Sequence, residues 1–295
     1  MNQKHLFTGA ATAIVTPVKE SGVDYDSFGR LIDFQIESGI KALIVCATTG
    51  EAPTLSDAEH CEAVKFAVRR ANGAVPIIAG TGSNDTAHAI MMSKCAADDG
   101  ADAVLCVTPY YNKPTQTGLI RSFSAIADAS PIPVVLYNVP SRTSVNIEPE
   151  TYGALADHPN ICAIKEASGN LSKIMDTFRI VGDRQDIYSG NDDQIVPLLA
   201  LGGKGVISVL SNVMPKETVE MCDRFFRGDL AGSMQMQLEY LPLIHALFSQ
   251  TNPIPAKAAL SAMGYCEDYL RLPLTPMEEP QRGRLFEEMR KLKLI

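Results

Sequence analysis

Residues 161–169 read Ile161-Cys162-Ala163-Ile164-Lys165-Glu166-Ala167-Ser168-Gly169: four apolar residues, a lysine, a glutamate, then small residues and a glycine. A short apolar run with such an exit predicts a strand buried on both faces. Side chains alternate along a strand, so Ile161, Ala163 and Lys165 are expected on one face and Glu166 on the other. The ammonium then ends a row of core side chains. Losing water there favours the neutral amine, and a neutral amine attacks ketones. The plain alternative is a solvated lysine at a strand end.

Similar runs recur: Ala11–Thr16, Ala42–Thr48, Pro76–Gly80, Ala103–Thr108, Val134–Asn138, Ile161–Lys165, Asp186–Ser189 and Val206–Val209. Their spacing, roughly 30 residues, is that of a strand–helix–strand unit. They are near-continuous in Ile, Val, Leu and Ala, the mark of a parallel sheet covered on both faces. Between them lie helix signals. Ser56-Asp57-Ala58-Glu59 is a capping box, Asn84-Asp85-Thr86 a cap for the next helix, and Asn170 a third start. Eight such units predict an α/β fold, a (β/α)8 barrel; an open doubly wound sheet is the alternative. After Asn212 only helical segments follow, near Lys216–Arg227, Leu230–Phe248 and Pro255–Met263. The expected division is a barrel over residues 1–225 carrying the active site and a C-terminal helical domain over 226–295.

The 295-residue chain is 46% hydrophobic and carries a net charge of -8, with no basic run, which disfavours nucleic-acid binding. No segment has the roughly 20 apolar residues of a membrane span, and no signal peptide is apparent. The seven cysteines include no Cys-x-x-Cys and read as reduced core residues of a cytoplasmic protein. The five histidines are scattered, so no metal site is expected.

In a barrel of this kind the active site lies at the C-terminal strand ends. The exits read Thr16-Pro17, Thr48-Thr49-Gly50-Glu51, Thr81-Gly82, Thr108-Pro109-Tyr110-Tyr111, Tyr137-Asn138, Lys165-Glu166, Ser189-Gly190 and Ser208. Hydroxyls surround a single amine. That suits Schiff-base chemistry, where protons move on and off a carbinolamine. Arg142, at the mouth, can pair with a carboxylate. Taken singly, each of these residues also has an ordinary structural reading. Gly202-Gly203-Lys204-Gly205 looks like a phosphate loop but precedes a strand, so a tight turn at the opposite end is expected.

The combination of Thr48-Thr49-Gly50-Glu51, Pro109-Tyr110-Tyr111-Asn112-Lys113-Pro114, Tyr137-Asn138-Val139-Pro140-Ser141-Arg142-Thr143 and Ile164-Lys165-Glu166-Ala167 resembles the pyruvate-dependent Schiff-base aldolase and lyase family, on its dihydrodipicolinate synthase branch. Asn252-Pro253-Ile254-Pro255 and Leu270-Arg271-Leu272-Pro273 also match. The resemblance implies a lyase of the diaminopimelate and lysine pathway. It condenses pyruvate with L-aspartate 4-semialdehyde and needs no cofactor beyond the covalent imine. Lys165 is implied as imine former, and Tyr137, Thr48 and Tyr111 as the proton relay. Tyr111 is implied to reach in from a neighbouring subunit of a homotetramer. Thr49 is implied to hold the pyruvate carboxylate and Arg142 that of the semialdehyde, with Gly190 and Ile207 lining the site. At the position of the family's lysine-inhibition pocket, His60, Asn84 and Tyr110 match its pattern, whereas Ala52, Pro53, Asp57 and His88 depart from it. His88 replaces a glutamate that would pair with the effector's ammonium, so weak or absent lysine feedback is expected. Same-family alternatives are N-acetylneuraminate lyase and keto-sugar-acid aldolases. Alternatives of other kinds are a non-catalytic keto-acid-binding barrel and a metal-dependent aldolase.

Overall fold

Strands with two apolar faces need cover on both sides, and closing the sheet on itself supplies one of them. The computed structural model, which describes residues 5–295, shows that closure. The barrel strands are β1 (Gly9–Ala13), β2 (Leu43–Val45), β3 (Ile77–Gly80), β4 (Ala103–Val107), β5 (Val134–Asn138), β6 (Ile161–Glu166), β7 (Asp186–Ser189) and β8 (Gly205–Ser208). Each pairs in parallel with the next, and β8 pairs with β1. A small antiparallel ladder, Val18–Lys19 with Gly22–Val23, follows β1.

The helices are α1 (Tyr25–Glu37), α2 (Asp57–Ala71), α3 (Thr86–Asp98), α4 (Gln116–Ala129), α5 (Pro140–Thr143), α6 (Pro149–Leu155), α7 (Leu171–Val181), α8 (Ile195–Ala200), α9 (Pro215–Phe226), α10 (Leu230–Leu247), α11 (Ile254–Ala262) and α12 (Gln281–Lys291). The expected caps form. Ser56 and Glu59 make the reciprocal capping box of α2, Asp85 caps α3, and the Asn170 side chain accepts from the Lys173 amide at the start of α7. Helix α9 packs on β1 and completes the outer ring, while α10 packs on α9 and α12. The charged segment of α12, buried only through Leu285 and Met289, is a helix the sequence did not announce.

Two layers fill the barrel wall. Ile44, Ile78, Leu105, Val135, Tyr137, Ala163, Tyr188 and Ile207 point inward, whereas Leu43, Ile77, Val104, Leu136, Ile164 and Val206 pack under the helices. One expectation needs correcting. Ile161 lies in the outer layer although Ala163 and Lys165 face inward. The register slips between Val134 and Val135, where Ile161 and Ala163 are their successive partners, so Cys162 is an extra residue. A second correction concerns β2, which ends at Val45 and not at Thr48, because Cys46 takes a positive φ of 52°.

The reduced-cysteine expectation fails for one pair. Cys61 on α2 and Cys95 on α3 are joined in a disulfide, their Cα atoms 6.5 Å apart. Neighbouring helices of the ring bring together residues 34 positions apart, a proximity no spacing rule shows. The remaining five cysteines are free. Asp99 lies beside the pair, with its Oδ2 3.6 Å from the Cys95 sulfur. These three side chains are the one group of potential metal donors among the described residues, and the bridge engages both sulfurs. The Gly202–Gly205 segment is a tight turn into β8: a Cβ on Gly205 would stand 1.8 Å from the Gly9 carbonyl oxygen. Among the described residues no helix is long and apolar enough to cross a membrane.

Candidate active site

Lys165 is the last inward residue of β6 and the backbone partner of Tyr137 on β5. Its ammonium stands 4.3 Å from the Tyr137 ring centroid, and the residue is only 4% exposed. Burial pushes its pKa down to about 7, Arg142 adds to that, and the buried carboxylate of Asp192 opposes it. Near neutral pH a substantial share of this amine is therefore uncharged. Burial also raises the Tyr137 phenol, while Arg142 and a hydrogen bond with Thr48 draw it back. Glu166 turns to the outer layer. Its carboxylate accepts from the Tyr152 hydroxyl at 3.0 Å, the Ser168 amide at 2.7 Å and the Asn138 side chain at 3.2 Å. Glu166 is thus no counter-ion to Lys165, as its place in the alternation predicts.

The turn after β2 supplies the hydroxyls. Gly50 is needed there, because a Cβ would stand 2.9 Å from the Thr16 hydroxyl and 3.0 Å from the Cys46 backbone. Thr49 is buried and its hydroxyl accepts from Asn252 Nδ2 at 2.9 Å. Gly190, past β7, is fitted as tightly: a Cβ would meet Ala167 at 2.7 Å and Lys165 Cε at 3.1 Å. Arg142 sits on α5, exposed at the rim, and donates to the Asn252 carbonyl at 3.0 Å. The Thr108 hydroxyl donates to Thr143 at 2.9 Å and anchors that short helix to β4.

Two adjoining cavities open here. One, of about 520 Å³, is lined by Lys165, Tyr137, Thr48, Thr49, Arg142 and Gly190 among others. The second, of about 590 Å³, includes Ala52, Pro53, Asp57, His60, His88 and Tyr110. Thr48, Tyr137, Arg142 and Asn252 line both. In the second, His88 Nε2 lies 3.0 Å from an Asp57 carboxylate oxygen, and His60 Nε2 is 2.8 Å from the Gly80 carbonyl. Burial lowers the His60 pKa.

Three singled-out residues stand apart. Tyr111, with a positive φ of 71°, is 91% exposed and lines neither cavity. Ile207 belongs to the inner barrel layer and lies outside both linings. Asn84 also lies outside them and offers its carbonyl to Asn112. Conversely, Asn252 lines both cavities and the Asp192 charge acts on Lys165, although neither carries a role legible in the sequence. Asn252 stands out in the sequence only through the family resemblance, and Asp192 carries no local signal beyond an acid past a strand exit.

Comparison with known proteins extends the reading. The model of the dihydrodipicolinate synthetase family matches residues 6–292. A protein of Alkaliphilus oremlandii named 4-hydroxy-tetrahydrodipicolinate synthase is 52% identical over 290 residues, covering 98% of this chain and 100% of its own. The solved dihydrodipicolinate synthase of Thermotoga maritima has a TM-score of 0.97 to this chain at 43% identity, covering 99% of this chain and 100% of that one. The chloride-inhibited dihydrodipicolinate synthase of Acinetobacter baumannii, solved with pyruvate, has a TM-score of 0.95 at 42% identity, covering 98% and 99% respectively.

Proposed function

This chain belongs to the dihydrodipicolinate synthetase family, and on that premise we propose residue roles for the reaction it carries out. The reaction is that of a lyase in diaminopimelate and lysine biosynthesis: pyruvate, held as a lysine-bound enamine, is joined to L-aspartate 4-semialdehyde. The family's chemistry runs through the lysine–pyruvate imine without a metal or other cofactor.

Lys165 is the imine-forming lysine. Its neutral amine attacks the pyruvate ketone, and the carbinolamine loses water to give the imine. Loss of a methyl proton gives the enamine, whose carbon attacks the aldehyde. The substrate's own amine then displaces Lys165 from the imine carbon as the ring closes. Tyr137, against Lys165 and lining the same cavity as Thr48, hands protons on and off. Thr49, fixed by Asn252, holds the pyruvate carboxylate, and Gly190 leaves room for the adduct. Ile207 backs the site from the inner layer. Arg142, at the rim, takes the semialdehyde carboxylate. The observation that carries this reading is the buried Lys165 amine, with its pKa near 7, against Tyr137.

Borohydride reduction in the presence of pyruvate, followed by peptide mass mapping, tests it. A stable adduct on Lys165 is expected, and an unmodified Lys165 overturns the assignment. Parallel assays with aspartate semialdehyde and N-acetylneuraminate separate the synthase from the sugar-acid lyases, for which a rim arginine has no evident use.

The exposed phenol of Tyr111 supports a homotetramer in which this residue completes a neighbour's relay. The altered second cavity, with His88 beside Asp57, supports weak or absent inhibition by lysine. We also retain the division at residue 225 and a cytoplasmic location as readings of the sequence.

A further inference from the structure

The least expected polar contact in the molecule lies behind the Thr48–Thr49 turn. Lys257 of α11 and Glu51 form an ion pair whose side chains are 0% and 1% exposed. The Lys257 ammonium also donates to the Tyr269 carbonyl at 2.8 Å, and Glu51 Oε2 accepts from the Arg271 amide at 3.2 Å. Burying two charges gives little net stability compared with apolar residues of the same shape, so such a pair calls for another explanation. The Glu51 backbone points to one. It sits in the left-handed region at φ 55°, ψ 33°, which L side chains rarely adopt. Its amide donates to the Thr48 carbonyl at 3.2 Å, closing the turn that carries Thr48 and Thr49. Arg271 holds the far side of the same loop through the Thr54 carbonyl at 2.8 Å and the Glu59 carboxylate. The turn is thus held by residues some 200 positions downstream, and the Thr49 hydroxyl is itself bonded by Asn252, at a separation of 203.

We infer that Lys257 and Glu51 are positioning residues for pyruvate: the buried pair fixes the left-handed Glu51 and so presents Thr48 and Thr49 to the substrate at Lys165. Neither side chain touches the reacting atoms. The pair acts through the turn, and the inference rests on the assignment of Thr49 to the pyruvate carboxylate.

Four variants test it: Lys257→Met, Glu51→Gln, the double variant, and Leu260→Ala. The last removes a fully buried side chain of α11 that lines neither cavity and serves as a stability control. Pyruvate KM and kcat, semialdehyde KM and thermal midpoint are measured for each. Each single charge variant is expected to lose roughly ten- to hundredfold in kcat/KM for pyruvate, the scale of a small misplacement at a reacting centre. Semialdehyde KM should move less. Leu260→Ala should lower the midpoint without changing pyruvate KM. The double variant leaves no unpaired buried charge, so its midpoint should recover towards that of the unaltered protein while pyruvate KM stays high. That variant decides the matter even if a single one fails to fold. Recovery of pyruvate KM together with the midpoint overturns the positioning role, as does a matching KM rise in Leu260→Ala. Absence of a Lys165 adduct in the unaltered protein instead overturns the site assignment itself.

Discussion

Tyr137 and Lys165 are direct register partners on neighbouring strands, and the lysine ammonium rests 4.3 Å from the centre of the tyrosine ring. Parallel pairing places both side chains on the inner face at the same height. Their separation is a property of the sheet and owes nothing to a flexible loop.

Holding this lysine neutral costs stability. Its ordinary pKa is 10.5 and the folded value is about 7. Above the ordinary value both states are neutral and there is no cost. As pH falls from there, the unfolded chain gains a proton that the folded chain declines, so the cost grows until about pH 7 and is constant below. Replacing Lys165 by Met should therefore abolish the pyruvate adduct yet stabilise the fold at pH 7 by on the order of 4 kcal/mol, with almost no gain near pH 10.5. Denaturation at the two pH values checks this; equal gains at both would contradict it. With Lys165 in place, adduct formation should rise with pH through about 7 as the amine deprotonates.

Tyr137→Phe keeps the ring beside Lys165 and removes the hydroxyl we propose as proton carrier. Turnover should fall by roughly 10²–10⁴-fold, while a slowly formed borohydride adduct persists. Full loss of the adduct would assign the hydroxyl to binding.

Gly190→Ala places a methyl group 3.1 Å from Lys165 Cε and 2.7 Å from the Ala167 side chain. Little slack exists in the wall, so we expect pyruvate trapping to collapse and the thermal midpoint to fall as well, since neither the Ala167 side chain nor the Glu166 carbonyl, 3.2 Å away, can swing aside. Normal trapping would show that the lysine can swing aside.

Arg142→Ala should spare pyruvate trapping and raise the semialdehyde KM, because the guanidinium stands at the rim. A typical charge-assisted contact, about 1.5–3 kcal/mol, corresponds to roughly ten- to hundredfold. Equal damage to both substrates contradicts the assigned role.

Lysine should inhibit weakly or not at all, since the histidine at position 88 faces Asp57 and presents no carboxylate of its own. Half-inhibition below millimolar lysine in a steady-state assay would refute this.

What the sequence disclosed follows from how local each signal is. The barrel was legible because strands covered on both faces are apolar through their length up to the exit, as in Val134–Leu136. Ser56 and Glu59 announced α2 because both halves of the capping box lie within one turn. Lys165 and Tyr137 were legible as strand-exit residues, and their pairing follows from adjacent strands. The bulge at Cys162 was invisible, since one extra residue leaves composition unchanged and reverses only the facing of Ile161. The early end of β2 depends on β3: a Cβ on Gly80 would stand 2.5 Å from the Cys46 carbonyl oxygen, an approach written into two distant residues at once. Asn252, Lys257 and Arg271 belong to the same class. Their partners Thr49 and Glu51 lie across the whole barrel in sequence, so only the folded chain brings them together. The Cys61–Cys95 bridge likewise depends on the neighbouring places of α2 and α3 in the ring.

Thr48, Tyr137, Arg142 and Asn252 form a party wall between the two cavities. A molecule in either chamber leans on side chains that the other chamber uses. An occupant of the His60–His88 side that moves this wall and thereby changes pyruvate affinity has its own affinity changed by pyruvate by the same factor. Coupling between the two compartments, read in either direction, would run through those four side chains.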